Sequence, residues 1–322
     1  MPHAHQIKDL ANPPSTLQAW TQARPDLRAA LWDMLGVAPP AFTPQPKTLS
    51  RTTRDGYHVE HFMFDNEAGA QAFGYLLIPQ DLTTPAPAVL YHHMHGYKYE
   101  LGKDELFQDW LIGTAPGPAL VKAGFVVLAI DTYAFGERQT QGPAGKDEIG
   151  PATEQALFKH FLWQGATSWG MIVRDDMLAL NYLLSRPEVD PTRVGVTGMS
   201  MGGSRTTWLG AFDERPRVIV PVCQMTRYDD FAKTGRYNLH GIYYYVPGIL
   251  KSGIDMEHLV ALSAPRAQHI LLGDSDPLSP VEGVRRVLDY TRQIYRLYDA
   301  EASFGATLEP GVAHEYTPSM FS

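Results

Sequence analysis

One serine in this chain sits between paired glycines, in the run Gly198-Met199-Ser200-Met201-Gly202. An apolar strand-like stretch at 194–197 precedes it, and a helix-like segment, MGGSRTTWLGAF, follows it. On a tight turn between strand and helix, a serine projects its hydroxyl, and flanking side chains would collide with the neighbouring elements. The chemistry this suits is nucleophilic attack on a carbonyl carbon. A serine hydroxyl is weak by itself, so it needs a base to take its proton and a third group to orient that base. The bland alternative is a glycine-rich turn that merely packs or holds a phosphate at a helix start.

The partners a nucleophile would need lie downstream. The apolar run QHILLG is followed by Asp274 and Asp276, and either carboxylate could orient a base. Asp276 is further past the strand end and can turn back over the sheet edge, whereas Asp274 suits a turn cap. His314, in EPGVAHEYT, is the only histidine beyond His269 and follows the last predicted strand. Serine, acid, histidine is the chain order of hydrolases built on this strand–turn–helix device. His314 would take the proton of Ser200 and return it to the leaving alcohol. A developing oxyanion needs preorganised donors, each typically worth about 3 kcal/mol of barrier. The candidates are the backbone N–H of Met201 and that of Tyr97, in the segment His92-His93-Met94-His95-Gly96-Tyr97 where Gly96 lets the chain turn.

That histidine cluster raises a metal reading. Strand alternation puts His93 and His95 on one face and His92 on the other. No carboxylate adjoins them to complete a ligand set, so hydrogen-bonded loop histidines are expected and no metal. No cofactor is expected either, because a triad generates its own nucleophile. Residues expected to wall a pocket are His95, Phe135, Trp163 and Tyr244, with Tyr97, Trp169, Tyr243 and Tyr245 as further candidates. Cys223 reads as a small buried residue rather than a reactive thiol.

These side chains are far apart in sequence, so a scaffold must bring them together. TLSRTT, YHVEHFMF and AFGYLLIP predict an antiparallel meander at a sheet edge. AVLYHHM, FVVLAID, RVGVTGM, VIVPV, QHILLG and FGATLEP then alternate with helical segments. Near-continuous apolar strands of this kind are buried on both faces, which predicts an α/β fold with a mostly parallel sheet and an antiparallel N-terminal edge. Residues 1–46 read as a helical extension, with Ser15 or Thr16 as cap and Pro25 as a break or second start. Residues 47–322 form the main domain, with excursions from strand ends near 132–165 and 224–252.

Composition narrows the class. The 322 residues are 44% hydrophobic and 19% charged, an ordinary globular mix. The net charge is -8 and the basic residues are scattered, which disfavours nucleic acid and anionic membrane as partners. One cysteine excludes an intramolecular disulfide. No signal-peptide pattern or membrane-length apolar run is visible, so a cytoplasmic protein is expected. The partner expected is a small-molecule ester, and a homo-oligomer is left open.

From about Ala88 onward the chain resembles the α/β-hydrolase superfamily, nearest the dienelactone-hydrolase-like and acetyl-xylan or cephalosporin C deacetylase esterases. HMHGYKYELGKD, AIDTYAFGER, RPEVDPTRVGVTGMSMGG, HGIYYYVPGIL, APRAQHILLGDSDPLSP and PGVAHEY carry the resemblance. It implies the triad Ser200, Asp276 and His314, with Tyr97 and Met201 as oxyanion donors. The chain differs in having serine where dienelactone hydrolases use cysteine, and Met201 where sugar deacetylases usually have glutamine. It also has FGER where many relatives have an Arg-Gly pair, and Glu137 and Arg138 are read as a structural ion pair near the site. The function expected is a small-ester carboxylesterase or deacetylase working through an acyl-enzyme. The runner-up is a serine peptidase of the prolyl-oligopeptidase-like type, whose propeller domain 322 residues do not accommodate. A ligand receptor that has kept the fold is a third reading.

Overall fold

The computed structural model describes residues 10–223 and 226–322, so parts of the 1–46 extension and the 224–252 excursion lie outside the described residues. Nine strands form one sheet: β1 (Lys47–Arg54), β2 (Tyr57–Asp65), β3 (Gln71–Pro79), β4 (Ala86–His92), β5 (Val126–Ile130), β6 (Val189–Met199), β7 (Val218–Val222), β8 (Ala267–Gly273) and β9 (Phe304–Glu309). Their spatial order is β1-β2-β3-β5-β4-β6-β7-β8-β9. The first three strands form the expected antiparallel meander, and β3 meets β5 antiparallel. All later pairings are parallel.

The apolar runs are explained by cover on both faces. Every residue of β5 is buried. Val126, Leu128 and Ile130 belong to a core that includes Leu178 and Leu180, while Val127 and Ala129 pack with Leu106 and Val121. The covering helices are α1 (Leu17–Leu35), α2 (Pro116–Lys122), α3 (Pro151–Trp163), α4 (Ser168–Ser185), α5 (Met201–Phe212), α6 (Tyr228–Lys233), α7 (Met256–Ala261) and α8 (Val281–Leu297). Helix α1 is capped by the Thr16 hydroxyl, which accepts from the Ala19 N–H, and ends at Gly36 in the left-handed region. It continues through Pro25, where a break or a second start was expected. Pro25 is exposed, so the chain loses one backbone hydrogen bond there without having to bury the carbonyl it frees.

The sheet reverses its winding at β4, which has β5 on one side and β6 on the other. Chain segments leaving the carboxyl ends of β4 and β6 therefore diverge, and in an open α/β sheet that crevice receives ligands. The histidine-rich turn leaves β4 and Ser200 leaves β6. Among the described residues, no helix is long and apolar enough to cross a membrane.

Candidate active site

Ser200 has φ 59° and ψ -115°, a conformation that an L-residue holds only when its surroundings enforce it. Its N–H donates to the Val222 carbonyl at 2.9 Å, tying the turn to β7. The glycines are required by close approach. A Cβ on Gly198 would lie 2.2 Å from the His92 carbonyl oxygen, and one on Gly202 would lie 2.0 Å from the same atom.

His314 and Asp276 converge on this turn. Ser200 Oγ–H donates to His314 Nε2 at 2.9 Å, and His314 Nδ1–H donates to Asp276 Oδ2 at 2.6 Å. The other carboxylate oxygen of Asp276 accepts from the Leu278 N–H at 2.8 Å, so the acid is held at both ends. Asp274 does other work: it accepts from the Gly311 N–H at 2.8 Å and secures the turn ahead of His314. His240, from the second excursion, donates Nε2–H to the Leu278 carbonyl at 3.1 Å. Burial pushes its pKa down to about 4, so it is a neutral donor behind the acid loop. The Cys223 thiol is buried beside Asp276 and His314 and donates to the Glu315 carbonyl at 3.2 Å. Burial raises its pKa well beyond the range of a reactive thiol.

Met201 is the first residue of α5, so its N–H has no acceptor within the helix. Tyr97 does not offer the vacant amide expected of it. With φ 56° its N–H folds back and donates to His95 Nδ1 at 3.1 Å. Gly96, not Tyr97, lines the cavity that holds Ser200.

That cavity has a volume of about 500 Å³. Its apolar surface comes from Met94, Trp110, Leu111, Met199, Tyr316 and Pro318, and Ser200 and His314 also line it. None of the four expected wall residues lines it. Trp163 ends α3 with 94% of its surface exposed. Phe135 and Tyr243 instead enclose, beside Met201, a void of about 10 Å³. Tyr244 is buried against Trp169 and Tyr228, and His95 is enclosed by other rings. Aromatic residues in the excursions hold those excursions onto the body, which is core packing. Trp110, 46% exposed at the cavity with Lys98 Nζ 4.5 Å from its ring centre, was not singled out from the sequence. Only a lone tryptophan in an unassigned loop marked it.

His92 and His93, the neighbours of His95 in the cluster, are also hydrogen-bonded. His93 Nδ1–H donates to the Met94 carbonyl at 2.8 Å, and its Nε2 accepts from the Thr132 N–H at 3.0 Å. His92 pairs with the Thr206 hydroxyl at 3.0 Å. Burial, reinforced by the nearby Arg205 charge, pushes both imidazoles well below their usual range, so both are neutral supports. Glu105 accepts from the Met94 N–H at 2.9 Å and from the Tyr91 hydroxyl at 2.7 Å. Its burial raises its carboxyl to about 7 despite those donors. Glu137 and Arg138 do not pair with each other, contrary to the expectation. Neighbours in a turn point apart: Glu137 meets Lys103 and His61, whereas Arg138 is buried against Asp175 at 2.9 Å.

Residues 74–218 match the dienelactone hydrolase family. A Bacillus subtilis protein designated hydrolase YtaP is 35% identical over 274 residues, covering 84% of this chain and 88% of its own. The 4-O-methyl-glucuronoyl methylesterase of Neurospora crassa is 25% identical over 232 residues, 64% of this chain and 59% of that protein. Among solved structures, a Bacteroides fragilis protein designated an acetyl xylan esterase superposes with TM-score 0.72 at 20% identity, covering 94% of this chain and 80% of that one. A glucuronoyl esterase from Solibacter usitatus gives TM-score 0.72 at 16% identity, covering 95% and 92%.

Proposed function

This chain belongs to the dienelactone hydrolase family, with the α/β-hydrolase fold, and from that premise we propose that it is a serine esterase that removes short acyl groups from small alcohols. The observation that supports this reading above all is the unbroken relay from Ser200 Oγ through His314 to Asp276, opening on the 500 Å³ cavity. In the reaction, Ser200 Oγ attacks the ester carbonyl while His314 Nε2 takes its proton. The Asp276 carboxylate keeps the proton on Nδ1 and stabilises the imidazolium. Negative charge on the carbonyl oxygen meets the Met201 N–H and an amide of the turn at Gly96. Collapse expels the alcohol, which takes the proton from His314. Water, activated by the same imidazole, then releases the acid.

The tight packing beside Met201 supports a short acyl group, because a void of about 10 Å³ has no room for a chain on that side. The open cavity under Trp110 suits the alcohol. p-Nitrophenyl acetate, butyrate and octanoate test the reading. Turnover is expected to fall with acyl length and to vanish in Ser200→Ala. A fluorophosphonate is expected to add once, at Ser200. Equal rates for wild type and Ser200→Ala would end the proposal.

A further inference from the structure

His95 is buried and does not line the cavity with Ser200, yet both of its ring nitrogens are committed. Nδ1 accepts from the Tyr97 N–H at 3.1 Å. A neutral ring that accepts at Nδ1 carries its proton at Nε2, and Nε2 lies 3.0 Å from Glu154 Oε1, to which it donates. The second oxygen of Glu154 accepts from the Tyr99 hydroxyl at 2.8 Å. Tyr243 stacks on the imidazole, with ring centres 5.0 Å apart, and Tyr97, Tyr99 and Phe135 meet it edge-on. Helix α3 supplies Glu154 and the second excursion supplies Tyr243. Both excursions therefore close on one ring.

That ring holds a strained turn. Gly96 and Tyr97 have φ of 50° and 56°, and the Lys98 N–H closes the turn on the His95 carbonyl at 3.0 Å. The left-handed region is unfavourable for tyrosine, so an unassisted turn would relax. The arrangement repeats the logic of the triad. In each case a carboxylate fixes the tautomer of an imidazole, but His314 faces a hydroxyl and His95 faces the backbone of the turn beside it.

We propose that His95 is a positioning residue that locks the 95–98 turn, through the Tyr97 amide and Glu154, so that the turn presents an N–H to the oxyanion. This rests on the serine-esterase reading. Oxyanion stabilisation depends on donor placement within about half an ångström. Ground-state binding does not, so loss of the lock should lower kcat and leave KM nearly unchanged.

The test uses His95→Phe, His95→Asn and His95→Gln with p-nitrophenyl acetate as substrate and phenylboronic acid as a tetrahedral-anion mimic. Phenylalanine keeps the stacked ring but removes the acceptor. Asparagine restores an acceptor near the Nδ1 position, whereas glutamine reaches towards Glu154 and leaves the Tyr97 amide without one. His95→Phe is expected to lose about 100-fold in kcat, with KM within about threefold, and to lose boronate affinity in parallel. His95→Asn should recover at least about tenfold of that loss. If His95→Phe does not fold, His95→Asn must still exceed His95→Gln in kcat by about tenfold. Wild-type kcat and boronate affinity in His95→Phe, or equal kcat in the Asn and Gln variants, overturns the proposal. Failure of the esterase reading looks different: boronate would not bind the wild type, and Ser200→Ala would keep its activity.

Discussion

Asp276 illustrates how one proton's position governs the candidate site. Its Oδ2 accepts from His314 Nδ1–H at 2.6 Å, and its side chain is fully buried. In Asp276→Asn the amide can donate to Nδ1, which moves the ring proton to Nε2 and leaves no lone pair facing Ser200. Turnover of p-nitrophenyl acetate is expected to drop about 10⁴-fold with stability nearly unchanged. A drop below about tenfold would shift the orienting role elsewhere. Glu105 carries a different consequence, in stability rather than rate. Its carboxyl is raised to about 7 by burial, whereas in the unfolded chain a glutamate titrates near about 4.3. Between those values the folded protein keeps a proton that the unfolded chain has lost. The associated stabilisation is complete below the lower value and is lost as pH rises through about 7. Glu105→Gln lacks this titration, so its urea midpoint should gain on the wild type between pH 5 and pH 8. A constant difference across that range would contradict the burial argument. At this scale, Ser200, His314 and Asp276 were legible because each follows a strand end in an order that the chemistry constrains. Cavity walls were not legible. Aromatic identity marks a residue for burial somewhere, and only tertiary packing decides whether Phe135 meets a substrate or another ring.

Elements were legible where burial on both faces forced a continuous apolar run, as in β5, or where alternation marked one buried face, as in β2. Helix α3 was missed because the face it buries combines Thr153 and Glu154 with Leu157 and Phe161, a stripe without the usual apolar contrast. Glu154 lies on that face to serve His95, so the feature that hid the helix is the one tied to the site. The turn from β6 to α5 is the opposite case, since its glycines announce it. They also make it fragile. A methyl group on Gly202 would sit 2.0 Å from the backbone oxygen of His92, which cannot swing aside like a side chain. Gly195, in the strand β6 that enters this turn, offers an internal control, because a Cβ there meets nothing nearer than 3.5 Å. Gly202→Ala is expected to cost at least about 3 kcal/mol of stability in denaturant titration, and Gly195→Ala within about 1 kcal/mol. Equal costs would mean that close packing does not dictate the elbow glycines.

Across the whole molecule, the N-terminal helix settles into the same core as the catalytic body. Trp20, Leu27, Leu31 and Leu35 recur on one face of α1 and are all fully buried. Arg28 Nε donates to the Ala211 carbonyl at 2.8 Å, at the end of α5. The last turn of α1 also anchors the start of α4, since the Leu35 carbonyl accepts from both the N–H and the hydroxyl of Thr167, each at 3.0 Å. No residue of α1 lines the cavity at Ser200, so its contribution is to stability rather than to substrate contact. Leu31→Ala removes a buried side chain from this seam and should cost about 2–5 kcal/mol. Because no residue of the seam lines the cavity or bonds to the relay, kcat and KM measured on the folded variant well below its melting temperature should match the wild type. Thermal melting and steady-state kinetics on one preparation separate the two effects. A variant that melts like the wild type but hydrolyses esters poorly would assign α1 to the cavity, as a lid over the substrate and not a wall of the core.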